Sequence, residues 1–422
     1  MSKPKVYILD THTLSPLGLG TKELLASLQN QHKAMAPISQ FDAAGLSQTH
    51  ACEVSQAHLA QLQELSEAWQ VVAANDRKFA LWASVLESKR TALQALFGKT
   101  SKARTALFLG LGANAFPVQR IAMSVADYSA FGLNEAIAQL NFYNGKKANS
   151  IFNHADLYGA YFAQEIAPFG FCRNLMTACS SSTQAIAFGA AHVMAGQADL
   201  VLAGGTDSII NQFAYISFGK LGVLSPDQCK PFDTGRNGTI AGECAGYTLL
   251  ASEKFVRENG LQPRAALIGF GNSMDAYKIT APDPSGEGVE RALRIALEMA
   301  QLPLDALDYI NAHGTGTRSN DEAELRAIER IVGAAAPNIA VSSTKDRHGH
   351  AIAAAGIQEF HVLTTCMAND LIPANLSCNQ PIQSSLVLPF ASNQTKQMRY
   401  ALTNNFAFGG VNCSLALENL AL

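Results

Sequence analysis

Three places in the chain set a nucleophile or an imidazole where a buried strand gives way to small residues. Cys179 lies in Asn174-Leu-Met-Thr-Ala-Cys-Ser-Ser-Ser-Thr-Gln-Ala-Ile-Ala, at the start of an apolar, alanine-rich helix. A cysteine at a helix N-terminus meets unpaired backbone N–H groups and the positive end of the helix dipole, and both favour thiolate over thiol. The same N–H groups can receive an oxyanion. His313 sits in Asp308-Tyr-Ile-Asn-Ala-His-Gly-Thr-Gly-Thr-Arg-Ser-Asn-Asp, at the exit of a short buried strand into a glycine and threonine loop. His350 sits in Ser342-Ser-Thr-Lys-Asp-Arg-His-Gly-His-Ala-Ile-Ala-Ala-Ala-Gly, again ahead of a small-residue helix. Ligands of open α/β sheets bind at strand exits of this kind. Taken singly, the cysteine also reads as a small buried apolar residue, and each histidine as a loop residue with its hydrogen bonds met. Three such residues, each at a strand-to-helix junction, point to nucleophilic chemistry assisted by imidazole.

The elements that must carry these residues alternate. Apolar runs predict strands at residues 5–9, 105–112, 200–205, 245–252, 264–270, 308–311 and 339–342, with a glycine-rich end at 401–416. Helical patterns begin at about Thr21 and fit residues 78–98, 117–140, 155–167, 181–196, 287–301, 320–332 and 352–369. Residues 30–75, polar and rich in Gln, Ala and Ser, read as an irregular surface excursion ending in a helix. Strand and helix in turn predict a mainly parallel sheet covered on both faces. With no low-complexity linker, two similar α/β halves joined without a hinge are expected, residues 1–255 with the cysteine and 256–422 with the two histidines.

Composition narrows the class of function. The 422 residues are 48% hydrophobic and 15% charged, which predicts a large core and an oligomer interface. The net charge of −3 and the lack of single-sign runs give no footprint for nucleic acid. No apolar run reaches the roughly 18 residues of a membrane span, and the opening MSKPKVYILDTHTLSPLG is too short in its apolar stretch for a signal peptide, so a cytoplasmic protein is expected. The eight cysteines (52, 172, 179, 229, 244, 366, 378 and 413) form no C-x-x-C pair, so neither a metal site nor a redox dithiol is indicated.

The motifs "TACSSST", "NAHGTGTRSND", "STKDRHGH" and "NNFAFGGVN" occur in the order found in β-ketoacyl-[acyl-carrier-protein] synthases, and the chain resembles that family over nearly its whole length. "LAGGTDS", "KPFDTGRNGTIAGECAG" and "DAYKITAPDPSGEG" agree; the similarity is weakest over about 30–100 and 113–150. The resemblance implies a thiolase-like five-layered α-β-α-β-α fold of two pseudo-repeated halves, and the Cys-His-His, elongating type of condensing enzyme. It further implies decarboxylative Claisen condensation of an acyl thioester on Cys179 with malonyl-carrier protein. The pathway is left open between fatty-acid, polyketide and aryl-polyene synthesis.

By the same resemblance His313 and His350 hold the enolate, Lys345 structures the site, and Glu324 is the carboxylate partner of Lys345. The backbone N–H groups of Cys179 and Phe408 form the oxyanion hole. Thr315 and Thr317 contact the pantetheine arm, and Phe408 with Gly409 and Gly410 gates the acyl pocket. No cofactor is implied beyond the phosphopantetheine of an acyl carrier protein. The partners implied are that carrier and a second copy or a ketosynthase-like subunit.

Four features depart from the family pattern: Ala407 in place of a glycine, Lys278 in place of a histidine, Arg347-His348 crowding the turn, and Asp10-Thr-His-Thr in place of "TGxG". They favour a specialised pathway over housekeeping elongation. Two other readings stand beside this one. A non-catalytic chain-length-factor-like subunit typically lacks the nucleophile that Cys179 supplies. A coenzyme-A thiolase needs a second acid/base cysteine near the C-terminus, where Cys413 lies in a different pattern.

Overall fold

A computed structural model describes residues 5–112 and 156–422. Ten strands carry the architecture. In the first half they are β1 (Val6–Ser15), β2 (Thr105–Leu111), β3 (Phe171–Leu175), β4 (Leu200–Ser208) and β5 (Glu243–Ala251). In the second they are β6 (Ala265–Met274), β7 (Tyr309–Asn311), β8 (Ala340–Ser342), β9 (Tyr400–Phe406) and β10 (Val411–Asn419). They line up in the order β8-β7-β9-β10-β6-β1-β5-β4-β2-β3.

Read outward from the middle, each half therefore has its first, fifth, fourth, second and third strand. The pairing directions repeat as well. In both halves the first–fifth and fifth–fourth pairs are antiparallel and the fourth–second and second–third pairs parallel. The halves join through a short antiparallel contact, Val6, Tyr7 and Ile8 against Leu267, Ala266 and Ala265. The sheet is thus mixed rather than mainly parallel. The alternation rule missed this because β10 returns through a tight turn, and β5 through a connection whose helix (Gln212–Lys220) does not cross the sheet, so both pair antiparallel to β9 and β4.

Six helices bear on the site: α1 (Arg77–Glu87), α2 (Arg90–Phe97), α3 (Ser181–Met194), α4 (Glu287–Ala300), α5 (Arg318–Val332) and α6 (Ala355–Met367). Strand residues divide between helix layers with period two, as a pleat requires. Ala106 and Phe108 of β2, with Val201 and Ala203 of β4, face a central layer built from Ala185, Ile186 and Ala190 of α3 and Ile357, Phe360 and Leu363 of α6. Their neighbours Leu107, Leu109 and Leu202 face Phe79, Trp82, Val85 and Leu86 of α1 on the outside. In the second half Tyr309, Ala401, Leu415 and Leu417 point to the same central layer. Ile310, Leu402 and Ala416 point out to Val289 and Leu293 of α4 and Leu325 and Ile328 of α5. This is a helix-sheet-helix-sheet-helix stack. Strands buried on both faces explain the continuous apolar runs in the sequence.

Close approach in the central layer depends on two glycines. A Cβ on Gly356 of α6 would lie 2.0 Å from Thr183 Oγ1, and one on Gly110 of β2 2.3 Å from the backbone nitrogen of Ser182. The expected helix over 78–98 is broken at Ser88-Lys89, where the Ser88 hydroxyl donates to the Val85 carbonyl and Lys89 leaves helical geometry. The excursion over 30–75 holds a small hairpin (Met35–Pro37 with His50–Cys52) and a helix at Glu67–Asn75. The helix expected at 117–140 lies outside the described residues. Among the described residues no helix is long and apolar enough to cross a membrane.

Candidate active site

Cys179 sits in a single 3-10 turn, Ala178–Ser180, between β3 and α3. Ala178 is forced to φ 49°, a left-handed conformation that costs an alanine about 1–2 kcal/mol and is retained where the surroundings hold it. The sulfur is buried, and Cys179 belongs to an apolar cluster with Ile209, Ile210, Leu224, Ile352 and Ala407. Burial pushes the Cys179 thiol up to about 12, against the opposing influence of the Lys345 charge and of a hydrogen bond from the Phe408 backbone N–H. The thiolate expected from helix position alone is therefore outweighed by loss of solvent. A base beside the sulfur is required.

That base is in place. His350 follows β8 and precedes α6, and its Nε2 lies 3.2 Å from Cys179 Sγ. His313 completes the group: one ligand atom from each of the three residues lies within 4.8 Å of the others. The two rings meet edge to face, with centroids 5.2 Å apart. Burial, and then the Lys345 charge, hold both imidazoles well below the usual histidine range, so both are neutral at physiological pH.

The surroundings of His313 assign its tautomer. Its Nδ1 faces two groups that can only donate, Lys345 Nζ at 3.4 Å and Asn405 Nδ2 at 3.2 Å. Nδ1 is therefore the acceptor and the proton resides on Nε2, the remaining ring nitrogen. The ammonium of Lys345 is enclosed: it also donates to the His313 carbonyl at 2.5 Å and forms an ion pair with Glu359. The other Glu359 oxygen accepts from Asn405 Nδ2 at 2.7 Å. Burial raises the Glu359 carboxyl, with Lys345 and Asn405 opposing.

Glu359 stands where Glu324 was expected. Glu324, on α5, instead uses its two oxygens to accept the backbone N–H groups of His313 and Gly314, each at 2.8 Å. It clamps the loop that presents His313 rather than the lysine, because α5 lies beneath that loop while α6 runs past Lys345. Burial raises Glu324 to about 7, against those two hydrogen bonds. Glu359 and Asn405 were not singled out from sequence. A lone carboxylate in the mostly apolar segment Ala355-Gly-Ile-Gln-Glu-Phe-His-Val-Leu, beside Gln358 and His361, was the available signal.

The remaining residues fall around this group. Thr315 and Thr317 share a hydroxyl contact of 2.9 Å in the loop after His313. Phe408 occupies the turn between β9 and β10, half-buried, with Gly409 at φ 84° and Gly410 at φ 75°. Ala407 is not among the residues with positive φ, so alanine in place of glycine carries no backbone strain there. The turn is laced to the segment carrying Lys278: the Gly409 N–H donates to the Ile279 carbonyl at 2.7 Å, and the Asp275 N–H to the Gly410 carbonyl at 2.8 Å. Lys278 itself is exposed, over the ring of Tyr277. Arg347 and His348 are interior struts. Arg347 donates to the Leu28 and Ala374 carbonyls, and His348 bonds Thr344 and the Gly349 carbonyl. The Asp10-Thr-His-Thr stretch forms a polar ladder on β1, with Thr11 to Thr248, His12 to Ser88 and Thr13 to His361. A Cys-His-His set has zinc-ligand chemistry in principle, but the ammonium 3.4 Å from His313 Nδ1 disfavours a second cation.

Comparison with known proteins agrees with this geometry. The profile described as "Beta-ketoacyl synthase, N-terminal domain" matches residues 5–255, and the one described as "Beta-ketoacyl synthase, C-terminal domain" matches residues 264–379. Nodulation protein E of Rhizobium meliloti is 36% identical over 246 residues, covering 58% of this chain and 61% of that protein. The chain thus spans about three fifths of the length of the first curated relatives it matches. The 3-oxoacyl-[acyl-carrier-protein] synthase 2 of Coxiella burnetii is 28% identical over 438 residues, covering 100% of both chains. Among solved structures, a ketosynthase in complex with its chain length factor from Xenorhabdus doucetiae superposes with a TM-score of 0.77 at 26% identity, covering 99% of this chain and 98% of that one.

Proposed function

Because the chain belongs to the β-ketoacyl synthase family, we propose that it is a β-ketoacyl-[acyl-carrier-protein] synthase, joining an acyl group held on Cys179 to a malonyl unit with loss of carbon dioxide. The observation that carries this reading is the contact of 3.2 Å between Cys179 Sγ and His350 Nε2, beside a His313 whose Nε2–H is free to donate. In the first half-reaction the sulfur attacks an acyl thioester. Its proton passes by way of His350 to the departing thiol. Exchange between thioesters is nearly neutral in energy, so positioning and an oxyanion hole suffice. The backbone N–H groups of Cys179 and Phe408 are proposed as that hole, one such donor being worth about 3 kcal/mol. That the Phe408 N–H already points at the sulfur supports the assignment.

In the second half-reaction the malonyl carboxylate leaves as carbon dioxide and its electron pair forms a thioester enolate. His313 holds the enolate oxygen through its Nε2–H, and His350 joins it once its ring proton has exchanged from Nδ1 to Nε2, while the enolate carbon attacks the acyl-cysteine carbonyl. The tetrahedral intermediate then expels the Cys179 sulfur. Lys345 supplies a fixed charge and orients His313; Glu324 and Glu359 brace the two. Thr315 and Thr317 are proposed to guide the pantetheine arm, and Phe408, Gly409 and Gly410 to gate the acyl pocket. The halves are taken as residues 1–255 and 256–422, a division supported by the repeated strand order.

The partner proposed is an acyl carrier protein, with a second copy or a chain-length-factor-like subunit, and the compartment proposed is the cytoplasm. The similarity to a ketosynthase found with its chain length factor supports a dimeric assembly. The thiolase reading is disfavoured because Cys413 packs into the central helix layer and is absent from the group around Cys179. The test is to incubate the protein with acyl-carrier proteins of differing acyl chains and analyse the adducts by mass spectrometry. An acyl adduct on Cys179 that disappears when malonyl-carrier protein is added, with a β-ketoacyl product, is expected. Condensation that persists in Cys179→Ala removes the proposal.

A further inference from the structure

Asp207, near the end of β4, is the meeting point of four separate features outside the group described so far. Its Oδ2 accepts the backbone N–H of Ala353 at 3.1 Å. Its Oδ1 accepts the N–H of Ser208 at 2.9 Å and lies 3.5 Å from Lys78 Nζ. The chain after β2 makes room for it, since a Cβ on Gly112 would lie 2.2 Å from the carboxylate. Lys78 is bound to the same strand a second time, its carbonyl accepting from Thr206 Oγ1 at 2.9 Å. Both Asp207 and Lys78 are buried, at 2% and 7% exposure. A buried ion pair that also spends a carboxylate oxygen on one backbone N–H costs solvation, and removing one partner leaves the other charge uncompensated.

What that N–H belongs to is the point. Ala353 follows Ile352, a β-branched residue held at φ 44° in the turn that leads from His350 into α6. Such a conformation persists only where the surroundings over-determine it. On one side the turn is held by backbone bonds of His350 to Ile240 and Gly242, at 2.7 and 3.0 Å. On the other side Asp207 reaches across from the first half. We propose that Asp207, charge-balanced by Lys78, is a positioning residue that holds the 350–354 turn and so keeps the His350 imidazole against the Cys179 sulfur. The inference rests on the reading of Cys179 and His350 given above, and adds to it a brace between the halves.

The Asp207 charge acts on the sulfur, and Lys78 tempers it through the ion pair, which gives a test that a merely structural role would not pass. Asp207 disfavours the thiolate, so Asp207→Asn should speed alkylation of Cys179 by iodoacetamide about threefold or more, while slowing condensation at least tenfold as His350 drifts. Lys78→Met leaves Asp207 unbalanced, and should slow alkylation and condensation alike, with Lys78→Arg restoring most of both. Measurements use the full chain, at temperatures below the melting point of each variant. Alkylation changing in the same direction in Asp207→Asn and Lys78→Met overturns the proposal, as does condensation by Asp207→Asn within twofold of the unchanged protein. If Asp207→Asn does not fold, the Lys78 pair decides, and equal alkylation by Lys78→Met and Lys78→Arg overturns it. Should the unchanged protein alkylate at Cys179 but never condense, the proposed function fails while the opposed alkylation rates still report on the brace.

Discussion

Cys179 and His350 hold equivalent stations in the two halves of the molecule. One follows β3 and leads into α3; the other follows β8, the corresponding strand of the second half, and leads into α6. Each passage contains a non-glycine residue forced to positive φ, Ala178 at 49° before the sulfur and Ile352 at 44° after the imidazole. The surroundings differ. The apolar cluster that holds Cys179 takes Ile209, Ile210 and Leu224 from the first half, with Ile352 and Ala407 from the second. Around the histidines the second half contributes Lys345, Glu359, Glu324 and Asn405, each buried and each hydrogen-bonded. One strand plan used twice thus sets an apolar cluster beside the sulfur and a polar cage beside the imidazoles.

The strongest way to break this comparison is to remove the imidazoles. His313→Ala and His350→Ala should each lower condensation about 10²- to 10³-fold, the usual loss for a donor to developing negative charge. His350→Ala should also slow acylation, because of the two histidines it is His350 whose ring nitrogen contacts the sulfur, whereas His313→Ala should leave acylation largely intact. Measuring the two half-reactions separately checks this, and identical profiles would refute the division of roles.

A change in the polar cage should be felt next. Lys345→Met should lower condensation roughly 10²-fold. It also has a signed pH effect: the lysine charge holds His313 and His350 down, so without it both rise toward 6.5 and the acid limb of activity moves to higher pH. An unmoved acid limb would mean that the lysine acts by shape alone.

The apolar side predicts the behaviour of the sulfur in the unaltered protein. With the Cys179 thiol pushed up to about 12, its alkylation by iodoacetamide should rise close to tenfold per pH unit from about pH 7 to 10, without the plateau an ordinary thiol shows near 8.5. A plateau below 8 would restore the helix N-terminus as the dominant influence. The smallest effect is expected in the gate: Ala407→Gly should change condensation by less than about threefold and lower stability by roughly 0.5–1 kcal/mol, read as a small fall in Tm, since the left-handed geometry falls on Gly409 and Gly410.

The nucleophile and both histidines were legible because each sits in a run of small residues at a strand exit, a local signal. The strand directions were not. Whether β5 runs against β4 depends on how the chain returns through a long connection that holds the helix Gln212–Lys220, and hydropathy carries no record of that. Glu359 was hidden for the opposite reason. It occupies one position of a helix read as apolar, and its partner Lys345 is brought to it only by the packing of α6 beneath the turn. Glu324 was assigned to that lysine by resemblance, and spacing along the chain offered no check on the pairing. The break at Ser88-Lys89 turned on a single hydroxyl competing for a backbone carbonyl.

The enclosed ammonium of Lys345 has a further consequence for the proposed reaction. Lys345 is paired to Glu359, and the thiol and imidazoles beside it are neutral, so its charge is already matched within the protein. A malonyl carboxylate entering the chamber would find that ammonium already taken by Glu359, and would be stripped of water among apolar side chains and imidazole rings. Departure as carbon dioxide, a neutral molecule that such walls do not penalise, converts that misfit into an enolate whose charge lies where His313 can donate. The chamber would favour decarboxylation by making the substrate's own ionised group unwelcome.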